Sequence, residues 1–181
     1  MLATIFPDTA NNPMTLAPAQ RSRTAILSGA KIVITEVGSY ESNMVDIAAR
    51  AQVSRATVYN HFADKEEMMF SLLESEIIRL ADLAKSAPSP KDALLILSRE
   101  ISGDPALRKM TVTDPTDIAA FVTIGSHPLW SLVQESLTKI FGLDNSSLVL
   151  HWLLGQIASP LTPAESAHQA TQISLALSLN K

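Results

Sequence analysis

Residues 54–65, Ser-Arg-Ala-Thr-Val-Tyr-Asn-His-Phe-Ala-Asp-Lys, gather side chains suited to gripping a polyanion and reading its bases. On a helix turning about 100° per residue, Val58 and Phe62 share one face. Ala56, Thr57, Tyr59 and Asn60 point away from that face, with Arg55 and His61 at its margins. Arg forms bidentate bonds to guanine and Asn to adenine, and Ala or a Thr methyl can meet the thymine methyl. A Tyr hydroxyl, an imidazole and a Lys ammonium suit phosphate oxygens, which set register without carrying sequence information. Ser54 fits an N-cap. Lys65 starts the following helix, where backbone N–H groups favour an anion. The set expected to meet DNA is therefore Ser54, Arg55, Ala56, Thr57, Tyr59, Asn60, His61 and Lys65. Plainer roles stand beside these: Tyr59 at the edge of a core, His61 as a half-buried structural histidine, Arg55 and Asn60 as solvated positions.

To enter a groove, such a helix needs a partner that buttresses it. The residues before it, NMVDIAARAQV, predict a short helix at about 44–51 with Met44, Ile47, Ala48 and Ala51 inward. Asn43 can cap it, with Asp46 completing an approximate capping box. Ala51-Gln52-Val53 then makes a tight turn, and residues 43–62 read as a helix-turn-helix. Upstream, Ile26, Ala30, Val33 and Val37 mark one face of a helix from Ala19, with Pro18 in its first turn and Gly38 just past its end. Residues 1–18, rich in Pro, Asn, Thr and Ala, read as a flexible arm. Downstream, Asp64 and Glu67 form a second capping box for a helix over 65–85, whose expected inner face is Met69, Leu72, Leu73, Ile77, Leu80 and Ala84.

With these residues in place, Gly38 to Lys65, centred on IAARAQVSRATVYNHFADKEEM, resembles the DNA-binding domain of TetR-family transcriptional regulators. The likeness covers about residues 20–70. It implies a homodimer that binds a palindromic double-stranded DNA operator, usually as a repressor released by a small molecule, here an unknown effector. Carried over by position, Arg55, Ala56, Thr57 and Asn60 face the groove, while Tyr59, His61 and Lys65 contact phosphate. One departure is Gln52, where the family usually has Gly. If φ is positive there, a side chain costs roughly 1 kcal/mol.

The expected fold is all-α: a three-helix helix-turn-helix domain at 19–65, then a helical ligand-binding and dimerisation bundle at 66–181. About nine helices are expected in all, with the chain homodimeric through the last two. Ala87-Pro88-Ser89-Pro90 is the clearest break. Helical patterns recur at about 91–102, 105–111, 115–125, 128–141, 145–158 and 163–179. Met110, Phe121, His127, Trp130, His151 and Trp152 are candidates for a ligand pocket between helices, with plain core packing as the alternative. Leu148, Trp152, Ile157, Ile173 and Leu177 are candidates for the dimer face. His127, His151 and His168 lack metal-ligand spacing, so neither metal nor cofactor is expected.

The whole-chain numbers agree with this class. The 181 residues are 46% hydrophobic and 18% charged, with no Cys, which excludes disulfides and thiolate metal sites. The N-terminus lacks a secretory pattern. The uncharged stretches Ile118–Gln134 and Asn145–Ala164 are broken by Pro, His and Gln, so neither reads as membrane-spanning. A cytoplasmic location is expected. The net charge of −4 is uneven: residues 20–65 carry six basic and four acidic groups, whereas 66–181 carry eight and thirteen. A local positive surface suffices for phosphate. No Gly-rich phosphate loop, nucleophile elbow or HExxH motif suggests an enzyme. An activator, a ligand-independent repressor, a helical interaction protein and a small helical enzyme are the competing readings.

Overall fold

The computed structural model describes residues 18–123 and 128–178. Among them run ten helices: α1 (Pro18–Val37), α2 (Met44–Arg50), α3 (Arg55–His61), α4 (Lys65–Lys85), α5 (Pro90–Gly103), α6 (Pro105–Thr113), α7 (Pro115–Val122), α8 (Pro128–Phe141), α9 (Leu143–Ala158) and α10 (Pro163–Ser178). The described residues contain no strand. The all-α expectation holds, with one helix more than the expected nine and with ends moved by a few residues. The expected arm falls, apart from Pro18, outside the described residues.

Capping chemistry sets the starts of these helices. Asn43 Oδ1 accepts from the Val45 and Asp46 amides at 3.0 Å each. Ser54 Oγ accepts from Thr57 N at 3.0 Å, and Asp64 Oδ1 accepts from Glu67 N at 2.8 Å. Ser89 caps α5 with Pro90 in its first turn. The Pro-rich break at 87–90 is therefore a tight corner that folds α5 back along α4, with which it packs closely.

The helices bury two cores. The first joins Ile26, Ala30, Val33 and Ile34 of α1 to Ile47, Ala48, Val58, Phe62, Met68, Leu72 and Ala106. The second gathers Ala84, Leu94, Leu97, Leu137, Phe141, Val149, Leu153 and Ala170. α4 contributes to both, Met68 and Leu72 at one end and Ala84 at the other. At the first core Met68 is fully buried, whereas Met69 is half-buried, packing against that core and, with Leu73, Ile77 and Leu80, lining a cavity described below. A polar cluster pins α5, α9 and α10 together: Gln156 Oε1 accepts from Ser98 Oγ at 2.7 Å and Ser102 Oγ at 3.0 Å, and Ser98 Oγ lies 2.9 Å from Ser166 Oγ. All four side chains are buried, and the cluster satisfies them in place of water. Among the described residues no helix is long and apolar enough to cross a membrane.

Gln52, in the turn between α2 and α3, sits at φ 55°, in the left-handed region that Gly adopts without a side-chain penalty. That region costs an L-residue roughly 1–2 kcal/mol, while Gly loses about 0.5–1 kcal/mol more backbone entropy on folding. Gln52→Gly is expected to raise stability by up to about 1 kcal/mol, or the melting temperature by about 2–4 °C. Thermal unfolding with unchanged helix content checks this.

Candidate nucleic-acid interface

α3 spans seven residues. Val58 is 0% exposed and the following Phe62 1%. Phe62 lies beneath the Arg23 guanidinium, whose carbon is 5.0 Å from the ring centre. That anchorage turns Arg55, Ala56, Tyr59 and Asn60 to solvent, with Thr57 and His61 half-buried. The outer face is thus the one expected from the sequence. Ser54 is engaged as the cap of α3, its hydroxyl also 2.8 Å from Thr57 Oγ1.

Lys65 requires a correction. Its ammonium donates to the carbonyls of Ser39 at 2.7 Å, Tyr40 at 2.9 Å and Ser42 at 2.8 Å. Those bonds use all three N–H donors of a lysine. The side chain therefore braces the α1–α2 loop from within, where a phosphate contact was expected. Arg50 is likewise engaged, with Glu36 at 2.7 Å.

The amides of the same loop are held from the opposite direction by Asp114, which is 5% exposed. Its Oδ2 accepts from Ser39 N at 2.9 Å and its Oδ1 from Tyr40 N at 2.8 Å. Thr113 Oγ1 donates to Oδ2 at 2.6 Å. Burial works to raise the Asp114 pKa, but the bonds from Thr113, Tyr40 and Ser39, with Lys65 nearby, outweigh it and hold the carboxyl below its ordinary value. The sequence marks Asp114 only as a helix start before Pro115; the partners its carboxylate takes lie 75 and 74 residues away. Tyr40, 80% exposed on this loop, was also missed.

Behind the first core, α4 to α9, with Lys31 and Ile34 of α1, line a half-open cavity of about 440 Å³. Its wall is apolar: Met69, Leu73, Ile77 and Leu80 of α4, Ile101 of α5, Leu107 of α6, Ile118 of α7, Val133 of α8, and Leu150, Leu154 and Ile157 of α9 all line it. Of the expected pocket residues, Met110, Phe121 and Trp130 are in the lining, with the Phe121 and Trp130 rings stacked 5.3 Å apart. His151 and Trp152 are not. The exposed His151 places Nδ1 2.8 Å from its own helix at Ser147 O, and Trp152 Nε1 donates to Gln169 Oε1 at 2.8 Å. His127 lies outside the described residues. The α4 stripe was legible as an apolar face, but only the packing distinguishes a cavity wall from core.

At one end of the cavity Lys31 of α1 pairs with Glu76 at 2.8 Å and Asp104 at 2.7 Å, and Arg79 pairs with Glu76 at 3.0 Å and Glu100 at 2.7 Å. Burial opposes the charge on Lys31 and Arg79, yet these bonds outweigh it and raise both pKa values. The network ties α1, α4, α5 and the cap of α6 into one frame.

The expected dimer residues divide. Leu148 is 49% exposed, and Trp152 and Ile173 are half-buried. Ile157 and Leu177 are each 7% exposed and belong to the chain's own second core. As contacts to a partner those two are corrected, because α9 turns Leu150, Leu153 and Ile157 inward together.

Comparison with known proteins follows the same division. Residues 26–72 match the family model described as bacterial regulatory proteins, tetR family. Over 176 aligned residues, 90% of this chain and 79% of the relative, the chain is 29% identical to the HTH-type transcriptional repressor BepR of Brucella suis biovar 1 (strain 1330). The dihydroxyacetone kinase operon activator DhaS superposes with a TM-score of 0.63 at 16% identity, over 88% of this chain and 95% of that one. The TetR family repressor AlkX of Dietzia sp. strain DQ12-45-1b, implicated in biodegradation of n-alkanes, gives 0.60 at 17% identity, over 90% and 96%. These two solved structures share the fold over the parts of the chain they cover.

Two outcomes are expected from the loop's bracing. Lys65→Met should lower stability by about 2 kcal/mol, as loss of bonds from a charged donor does, while leaving the salt dependence of DNA binding as in the unaltered protein. Asn60→Ala should keep stability and relax base preference by about 1–3 kcal/mol. Denaturant melts and DNA titrations at several salt concentrations separate the two. Because the Asp114 pKa is depressed, its contribution is present above the ordinary carboxyl value of 3.8 and lost as pH falls below it. The stability gap to Asp114→Asn should therefore stay constant above about pH 5 and narrow on further acidification.

Proposed function

We propose that this chain is a DNA-binding transcriptional regulator of the TetR family, a dimeric repressor that leaves a palindromic operator when an apolar small molecule fills the cavity. The observation that carries this reading is the solvent-facing Arg55, Tyr59 and Asn60, set on a helix whose core also receives α4, the helix that walls the cavity. The domains are read as an arm at 1–18, a DNA-reading unit at 19–65 and an effector and dimer unit at 66–181, joined rigidly through α4. Arg55, Ala56, Thr57 and Asn60 read bases, and Tyr59 and His61 meet phosphate.

Leu148 of α9 and Leu175 of α10, 49% and 64% exposed, support a partner face on the last two helices. Ser147, Leu148, His151, Gly155 and Ala158 form one exposed stripe along α9, and His168, Gln172, Leu175 and Ala176 another along α10. Two-fold pairing there would set two copies of α3 about one DNA turn, roughly 34–36 Å, apart or a multiple of it. A ligand that shifts α4 changes that spacing and so weakens binding. The cavity volume of about 440 Å³ and its apolar wall suit a lipophilic molecule of moderate size. The sign of regulation follows the relative BepR, named a repressor.

Selection of bound duplexes from randomised DNA at moderate salt should recover a palindrome. Nile red, an apolar dye that brightens on leaving water, should bind the purified protein and weaken its grip on that duplex. Recovery of no motif would sink the regulator reading. A motif without Nile red binding would remove only its ligand-released form.

A further inference from the structure

Asp114 ends α6 and begins α7, and Asp is among the preferred side chains for capping a helix start. At α6 the rule is followed, with Asp104 Oδ1 accepting from the Ala106 and Leu107 amides at 2.9 Å each. At α7 it is broken, since Asp114 makes no side-chain cap bond to its own helix. Its carboxylate reaches instead across the molecule to the Ser39 and Tyr40 amides. The contact is tight. A methyl group at Gly38, already at φ 91°, would overlap Thr113 Oγ1 and lie 2.7 Å from Asp114 Oδ2.

We propose that Asp114 works beside α4 in carrying occupancy of the cavity to the DNA-reading unit: its carboxylate clamps the α1–α2 loop in the operator-binding form, and turns back to cap α7 when a ligand parts α6 from α7. This rests on the reading of the cavity as a ligand site. Met110 and Ile118, which flank Asp114 along the chain at one helical turn on each side, both line the cavity. Asp114 N donates to Met110 O at 2.8 Å, and Asp114 O accepts from Ile118 N at 3.1 Å. A ligand that displaces either helix therefore moves the backbone that carries the clamp. The first turn of α7, which no side chain caps in this structure, then offers the carboxylate its amides in place of the loop's. A carboxylate with two alternative sets of donors makes a two-state element, which an occupant of the cavity can tip.

On the other side of the clamp the loop leads directly into α2, with Ser42 Oγ donating to Ser39 O at 2.6 Å and Asn43 capping the helix. Lys65 holds the carbonyls of that loop from the start of α4. Release of the amides by Asp114 loosens one side of a segment held on two, and α2 is the support on which α3 rests.

The test uses the full-length protein, the selected operator duplex and Nile red. In the unaltered protein, saturation with Nile red should raise hydrogen exchange at the Ser39 and Tyr40 amides and lower operator affinity about tenfold, within the usual range of coupling between sites. Asp114→Asn keeps a good cap residue but weakens the clamp. It should bind operator about tenfold more weakly without dye, lose most of the further effect of dye, and by reciprocity bind Nile red more tightly. Unchanged exchange at Ser39 and Tyr40 under saturating dye would overturn the clamp's role, and that reading needs no variant to fold. So would an Asp114→Asn protein that matches the unaltered one in dye affinity and is still expelled from operator by the same factor. Absence of dye binding to the unaltered protein would refute the cavity reading itself, and the clamp with it.

Discussion

A seven-residue helix has too few internal hydrogen bonds to persist in water, where even good sequences need about 12–15 residues to become marginally helical. α3 exists because Val58 and Phe62 are buried against α1 and α2. Burial of an apolar side chain of that size contributes about 1.5–3 kcal/mol. The same constraint orients the helix. Once those two side chains are inside, the intervening positions have one direction left, and the reading face is the complement of the core face. Arg23 over the Phe62 ring and Ser54 at the N-cap then fix its tilt and its start.

The second constraint is that α4 has no core of its own. Met68 and Leu72 belong to the DNA-reading end, Ala84 belongs to the other core, and Met69, Leu73, Ile77 and Leu80 wall the cavity between them. A rigid 21-residue helix shared in this way cannot shift at one end alone. The ion-pair network strengthens the union. Exposed pairs are worth little singly, but Glu76 bonds both Lys31 and Arg79, and Lys31 also bonds Asp104, so α1 is tied to α4 and to the cap of α6.

Much of this was legible along the chain. Helix starts were readable from Asn43, Ser54 and Asp64, because capping is a local exchange between one side chain and amides two or three residues away. The positive φ of Gln52 was suggested only by the Gly that the family usually has there, and no local spacing required it. The outer face of α3 followed from helical period alone. Lys65 and Asp114 were not legible, although their bonds are as short as any local cap. Whether an ammonium at a helix start meets a phosphate or three carbonyls depends on what the fold brings beside it. The loop that meets Lys65 lies 23 to 26 residues away, and the one that meets Asp114 more than 70.

The same division runs through the apolar residues. Periodicity says that a face is buried and is silent on what covers it: Met69 and Leu73 were read as core and line a cavity, and Ile157 and Leu177 were read as partner contacts and lie in the chain's own second core. The sequence by itself determined the helical class, the caps, the turn and the outward-facing set on α3, since each rests on interactions within about one helical turn. Only the tertiary structure decided where the cavity opens, which apolar stripe stays uncovered and which charges are already engaged. Those depend on packing between helices that no local spacing encodes.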